Sequence, residues 1–288
     1  MEVLLFGAFN GLIVGFFYAL MALGLSLIIG LSSVINFAQG GFMALGGYLA
    51  FTLEPALGFW GCLLLCPVFA GVIGAAFERG LIRPLYGRDP LYSLLLTFGL
   101  AMVMEDLIRT AWGAQGEPFG IPGYLNNPVS SVYFFVTGYR VLVIGVTAAA
   151  TAALFAVLRY TRIGICIRAG NADLETVASL GVNIYLLRAV NFALGILLAG
   201  LAGILAAGQL GLTPTMGSSL IMPSFVAIIV GGIGSLIGSL LGGLVIGVAS
   251  GVTSMYFPAA SEVVIYVIMA IVLTVRPRGL LGQEGLLE

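Results

Sequence analysis

Few side chains in this chain can do chemistry, and their types exclude most of it. The 288 residues contain 11 basic and 12 acidic residues, with no lysine and no histidine. Without lysine there is no GxxxxGK[ST] phosphate loop and no Schiff base. Without histidine there is no Ser-His-Asp triad, no HExxH zinc helix and no histidine proton relay. Nucleotide-driven work by this protein therefore needs an ATPase on another polypeptide. Cys62 and Cys66 stand at i, i+4 inside an apolar run, with Cys166 far away. They read as small packing residues, with neither a disulfide framework nor metal-ligand spacing. Glu105 and Arg109 can pair at i, i+4 beside Asp106 at the end of one apolar run, and Glu262 opens the last one. Both groups read as interfacial, whereas proton- or voltage-coupled machines bury carboxylates or arginines at mid-membrane. No catalytic constellation, resident cofactor or metal site is expected, and nothing points to nucleic acid.

The elements that carry these residues are apolar helices. Hydrophobic residues make up 60% of the chain and charged residues 8%, against about 25% charged in a soluble domain. The solvent for so much apolar surface has to be a bilayer, which a helix crosses with about 20 residues. The expected fold is all-α, one polytopic membrane domain over residues 1–288. Its spans run Leu4–Gly30, Val34–Leu53, Leu57–Phe77, Leu91–Ile108, Val141–Leu158, Ala189–Gly211 and Val263–Val275. The region Leu220–Met255 is too long for one crossing and holds two, or one plus a broken one. The count is about eight, within seven to ten, with broken or re-entrant segments. The N-terminal MEVLLFG lacks a basic n-region and a cleavage site, so the first span reads as retained.

Arginine orients the spans. Arg79, Arg83 and Arg88 fall in one connection, Arg159, Arg162, Arg168 and Arg188 in another, and Arg276 and Arg278 after the last span. These nine of the eleven share one side, which the positive-inside rule makes cytoplasmic. The N-terminus then lies outside and the C-terminus inside, which demands an odd number of full crossings. Segment 113–139 faces outward, and its run Val129–Val141 alternates like a short hairpin.

Two interruptions mark a candidate path for a solute. One is Ser32–Gly41, with Asn36 and Gln39 ahead of Gly40 and Gly41; the other is Pro223–Gly234, bounded by Pro223 and by Gly231 and Gly232. Unwound backbone is tolerated at membrane depth where it is buried in protein or lines a cavity. Paired broken helices point to a transporter's substrate route. Asn36 and Gln39 read equally well as interhelical hydrogen-bonding residues. Glycine marks packing: Gly231, Ser235, Ser239, Gly243, Gly247 and Gly251 lie four apart, beside a second row of Gly234, Gly238 and Gly242. These rows suit tight packing within one chain, with an interface between subunits as the alternative.

The connection 159–188 contains RAGNADLETVASLGVN, Arg168–Asn183. Asn171 or Asp173 can cap a short helix there, which Gly181 ends with a left-handed turn. Such a helix cannot cross a membrane; it is an interfacial helix or a docking element for a partner.

Three runs carry a resemblance: Gly24–Ala50, the loop just quoted and Val230–Gly247. On them the chain resembles, over essentially its whole length, the permease subunits of branched-chain amino-acid ABC importers of the LivH type. The resemblance implies that Glu175, with Gly181 six residues on, marks the loop that engages the ATPase, together with Asp173 and Ala178. Thr176 and Val177 replace the two alanines that usually follow the glutamate. It also implies the partners: a second related permease, two ATP-binding subunits that carry ATP and Mg, and a periplasmic or extracellular substrate-binding protein docking on 113–139. The implied setting is a bacterial-type plasma (inner) membrane, and the implied mechanism alternating access, with substrates among branched-chain amino acids, other amino acids, urea and short amides. An ATP-independent facilitator for a small neutral solute is the main alternative, disfavoured because a channel needs no docking helix. A secondary transporter or a pathless assembly subunit fits the residues less well.

Overall fold

The computed structural model describes residues 2–131 and 134–282. Its elements are α1 (Glu2–Ser32), α2 (Ala38–Phe77), α3 (Pro90–Trp112), a short α4 (Gly123–Asn126), α5 (Gly138–Tyr160), α6 (Arg162–Ala172), α7 (Leu174–Ser179), α8 (Ile184–Leu210), α9 (Met216–Gly231), α10 (Leu236–Tyr256) and α11 (Val263–Val275). The only sheet among the described residues is a ribbon in which β1 (Pro128–Ser131) pairs antiparallel with β2 (Phe134–Thr137), Pro128 opposite Thr137. It sits in segment 113–139, where alternation predicts a hairpin; Val132 and Tyr133 lie outside the described residues.

Helix α2 has 40 residues, about 60 Å if straight and twice the bilayer's hydrocarbon thickness. It is a hairpin of two crossings. Gly58 alone leaves helical geometry, at φ 66 and ψ 168, and the arms before and after it lie against the same stretch of α8. A Cβ on Gly200 would meet both Gly46, 3.9 Å away, and Ala70, 2.9 Å away. Only a chain that folds back at Gly58 brings residues 46 and 70 to one height. The turn comes a few residues later than the break expected between Leu53 and Leu57.

The long apolar region resolves into α9 and α10. Nine helical segments thus make up the bundle among the described residues, one more than the expected eight. The N- and C-terminal parts lie at opposite ends. Gly7 packs on Gly251 and Met255 at the end of α10, while Gly279 packs on Gly232 just before α10 begins. The arginine connections meet at the Gly232 end. Arg83 stacks over Tyr185 at 3.9 Å, Arg188 stacks over Tyr86 at 4.1 Å, and Gly30 near the end of α1 lies against Asn171. At the other end the backbones of Glu117 and Leu212 bridge segments 113–122 and 211–215, with Glu117 N to Leu212 O at 2.9 Å.

Small residues let these helices touch backbone to backbone, the means of association left when lipid is as apolar as the side chains. Gly243, Gly247 and Gly251 of α10 interleave with Gly11, Gly15 and Ala19 of α1, while Gly238 and Gly242 face Gly231 and Ala227 of α9. Both glycine rows of α10 therefore serve contacts within this chain. Gly234 lies in the turn between α9 and α10 with φ 84, a left-handed backbone that glycine adopts without strain. The α1 row of Gly7, Gly11 and Gly15 has the same four-residue spacing as the α10 row and meets it. Cys62 and Cys66 are buried free thiols in the second arm of α2.

Candidate functional site

The chain leaves helical geometry between α1 and α2, over residues 33–37, and the polar residues around that break are tied rather than open. Ser33 has φ 52, an uncommon conformation for a residue with a side chain. The Thr97 hydroxyl of α3 donates to Ile35 O at 3.0 Å and accepts from Phe37 N at 3.2 Å, standing in for missing helix bonds. Asn36 Nδ2 donates to Gln39 Oε1 at 3.5 Å, and Gln39 Nε2 donates to Gly195 O of α8 at 3.1 Å. Asn191 Nδ2, also on α8, donates to Leu27 O of α1 at 2.6 Å. Asn36, Gln39 and Asn191 are fully buried. In this conformation Gln39 ties α2 to α8, Asn36 steadies Gln39 from the break, and Asn191 ties α8 to α1; Asn36 Oδ1 and Asn191 Oδ1 remain without partners.

The depth of the break follows from its neighbours. Gln39 lies against Gly24 and Gly195, which stand about 12 and 17 Å along α1 and α8 from the arginine-rich end at 1.5 Å per residue. Helix α2 therefore starts near half the bilayer's depth. Helix α9 starts beside it, because Gly217 packs on Gly40: a Cβ on Gly217 would lie 2.0 Å from Gly40 O. Two helix beginnings meet inside the membrane, and α9, at 16 residues or about 24 Å, is shorter than a full crossing of about 30 Å.

An apolar cleft of about 240 Å³ opens at this meeting point. The first turn of α2 contributes Phe37, Gly40 and Gly41, and α3 contributes Phe98, Met102 and Glu105. The start of α9 contributes Gly217, Ser218, Ile221 and Met222. Phe37 packs edge-on against Phe98, with ring centroids 6.0 Å apart, and against Phe225 at 4.9 Å. At the rim, Glu105 pairs with Arg109 through one guanidinium nitrogen. Of the residues expected along a path, Gly40 and Gly41 line this cleft, while Asn36 and Gln39 brace it from behind. Pro223 lies inside α9, and Gly231 and Gly232 sit at the arginine-rich end against Gly238 and Gly282. The interruption that opens the cleft on the α9 side is Gly211–Thr215. Gly211, at φ 85 after α8, was the legible sign of it.

The second candidate element is α7 at the arginine-rich end. Asp173 caps it, its carboxylate accepting from Glu175 N and Thr176 N, both at 3.0 Å, and from the Thr176 hydroxyl. Those bonds to the ionised form hold the Asp173 carboxyl below the usual aspartate range, the Thr176 hydroxyl contributing most. Gly181 ends the segment at φ 84 with its N–H on Ala178 O at 3.0 Å. Val177 is buried and anchors α7, while Glu175, Ala178 and Leu180 project outward, Leu180 at 78% exposure. Asn171, the other cap weighed from the sequence, lies in α6 against Gly30.

Comparison with known proteins fits this architecture. The family model described as branched-chain amino acid transport system / permease component matches residues 7–273. The chain is 32% identical to the high-affinity branched-chain amino acid transport system permease protein LivH of Salmonella typhimurium, over 96% of this chain and 94% of that one. It is also 32% identical to the permease protein BraD of Pseudomonas aeruginosa, over 95% and 94%. It is 27% identical to the permease protein LivM of Salmonella typhimurium, over 76% of this chain and 57% of LivM. A multi-pass bundle with half-depth helix starts and an exposed capped helix at its arginine-rich end thus belongs, by sequence across nearly its whole length, to the family of branched-chain amino acid transport system permease components.

Proposed function

We propose that this chain is one of two permease subunits in a binding-protein-dependent ABC importer, moving branched-chain or related amino acids inward by alternating access. ATP and Mg would bind to two separate ATPase subunits. The observation that carries this reading is α7. A short helix stopped at both ends, with Glu175 and Leu180 outward, stands at the end of the bundle where nine of the eleven arginines gather. The arginines make that end cytoplasmic, and an exposed apolar Leu180 beside a carboxylate suits docking to a soluble subunit better than contact with water. Glu175, Ala178 and Gly181 would form the coupling contact, with Asp173 holding its geometry.

The cleft between the starts of α2 and α9 supplies the permease's share of the path. Aromatic and aliphatic walls at Phe37, Phe98, Ile221 and Met222 suit a branched aliphatic side chain. Glu105 is the carboxylate at its rim, and the two helix beginnings bring backbone N–H groups to its wall. The binding protein would dock on segment 113–139 at the opposite end, and a second related permease would close the path from its open side. The setting is a bacterial-type plasma membrane with the N-terminus outside.

Uptake of radiolabelled leucine into proteoliposomes holding the reconstituted complex tests this reading. Accumulation against a gradient that requires both lumenal ATP and an added binding protein supports it. Equilibration without ATP would instead make the chain a facilitator.

A further inference from the structure

At the arginine-rich end, between the unwound segment and α7, five side chains lie together with two of their polar atoms left unused. After α2 the chain passes through a π-turn, Glu78–Ile82, and a single 3-10 turn, Arg83–Leu85. Glu78 opens the π-turn and is 1% exposed. Its Oε1 accepts from the Tyr86 hydroxyl at 2.7 Å, while its Oε2 is buried with no hydrogen-bond partner. The Arg188 guanidinium lies over the Tyr86 ring at 4.1 Å, and its Nε is likewise buried and unbonded. Arg83 lies over the Tyr185 ring at 3.9 Å. Arg83, Arg188 and Arg79 all act on Glu78 through their charge, yet none makes an ion pair with it. The cluster borders a half-polar cavity of about 310 Å³ that also touches Ser32, Ser33 and Val34 at the start of the unwound segment.

A buried carboxylate oxygen left empty is costly, and so is an empty guanidinium donor. Holding both in one cluster makes sense if they meet in another arrangement. Tyr185 and Arg188 occupy the first two turns of α8, which Asn183 caps and which follows the end of α7 by only a few residues. A shift of α7 therefore reaches Arg188 through a short, capped connection.

We propose that Glu78, Tyr86 and Arg188 form a two-position clasp. Arg188 rests on the Tyr86 ring in the conformation seen here and pairs with Glu78 Oε2 when α7 is displaced. The exchange carries motion of the docking loop to the Glu78–Tyr86 segment and on to the unwound residues beside it. These are positioning residues. The proposal rests on the importer reading, because it takes α7 to be where force enters. Neither arrangement has to be strong; what matters is that α7's partner favours one over the other.

The test uses the complete importer in nanodiscs, with spin labels at Arg88→Cys and Leu186→Cys in a Cys166→Ser background. Distances are read without nucleotide and with ATP plus vanadate. In the wild-type sequence the distance changes between the two conditions. Glu78→Gln and Arg188→Gln are expected to keep the ATPase bound and the nucleotide-free distance unchanged, to lose the change, and to cut uptake about tenfold. Tyr86→Phe keeps the ring but removes the hydroxyl that occupies Glu78. It is expected to move the nucleotide-free protein toward the ATP-state distance, which a merely structural role would not do. Full distance changes in Glu78→Gln and Arg188→Gln, with uptake intact, would overturn the clasp alone. A wild type that binds no ATPase would overturn the importer reading and the clasp with it.

Discussion

Replacing Gly247 by alanine should loosen the contact between α1 and α10. A Cβ built on Gly247 stands 2.2 Å from Gly15 Cα, 2.4 Å from Gly15 N and 2.5 Å from Gly11 O. All three atoms are backbone of α1, so no side-chain rotation can relieve the clash. The two helices must part by roughly 1 Å before the contact becomes tolerable, which opens gaps along the whole glycine ladder. Overpacking of this kind costs about 1–3 kcal/mol. Alanine also returns up to about 1 kcal/mol of helix propensity, so a control with the same propensity gain is needed. Gly145 in α5 provides it, since a Cβ there has nothing within 4 Å. The propensity gain cancels between the two variants, and Gly247→Ala should be less stable than Gly145→Ala by about 1–3 kcal/mol. Unfolding in mixed micelles by titration with SDS, followed by circular dichroism, measures the difference. Equal stabilities would refute the claim that these glycines are kept for backbone contact.

Two further outcomes follow from the site. Gln39→Leu removes the bond to Gly195 O and leaves that buried carbonyl with one partner fewer, which should cost about 1–3 kcal/mol in the same unfolding assay; an unchanged midpoint would show that the bond contributes nothing. The Asp173 carboxyl, held below its usual value by the Thr176 hydroxyl and the backbone N–H groups, should remain ionised at a pH where an ordinary aspartate has begun to protonate. A depressed pKa contributes stability above the unfolded value that is lost as pH falls through the folded one. The α7 cap should therefore persist at pH 5 and be lost only in strong acid, as carboxyl NMR shifts would report.

Much of the fold could be read from the residues because bilayer crossings and arginine placement are coarse signals. Arg83 and Arg188, assigned to different connections of one side, do meet across two tyrosines. The reversal of α2 was legible as two spans, though its turn was placed near Pro55 rather than at Gly58, the residue free to take positive φ. The second interruption was harder. Pro223 looks like a break, yet a membrane helix tolerates proline when neighbouring groups compensate, and here α9 runs straight through it. The break at Gly211–Thr215 falls in the gap between the expected runs Ala189–Gly211 and Leu220–Met255, but nothing in the sequence says that α9 starts beside Gly40. The burial of Glu78 was illegible for a different reason. It lies among arginines in a connection that reads as solvated, and only the π-turn draws it inward. For Asn36 and Gln39 the sequence left bracing and path-lining equally open; in the structure Gln39 bonds to α8 and Asn36 bonds to Gln39.

If α7 couples this permease to a separate ATPase, the two should co-purify in detergent. The wild-type chain should carry the ATPase subunits with it, and their hydrolysis should respond to the binding protein. Glu175→Ala removes the outward carboxylate, and Gly181→Pro forbids the φ of 84 that ends the segment; both should lose the ATPase while the chain stays folded. A wild-type chain that purifies alone, or loop variants that hold a fully responsive ATPase, would show that α7 is not the coupling element.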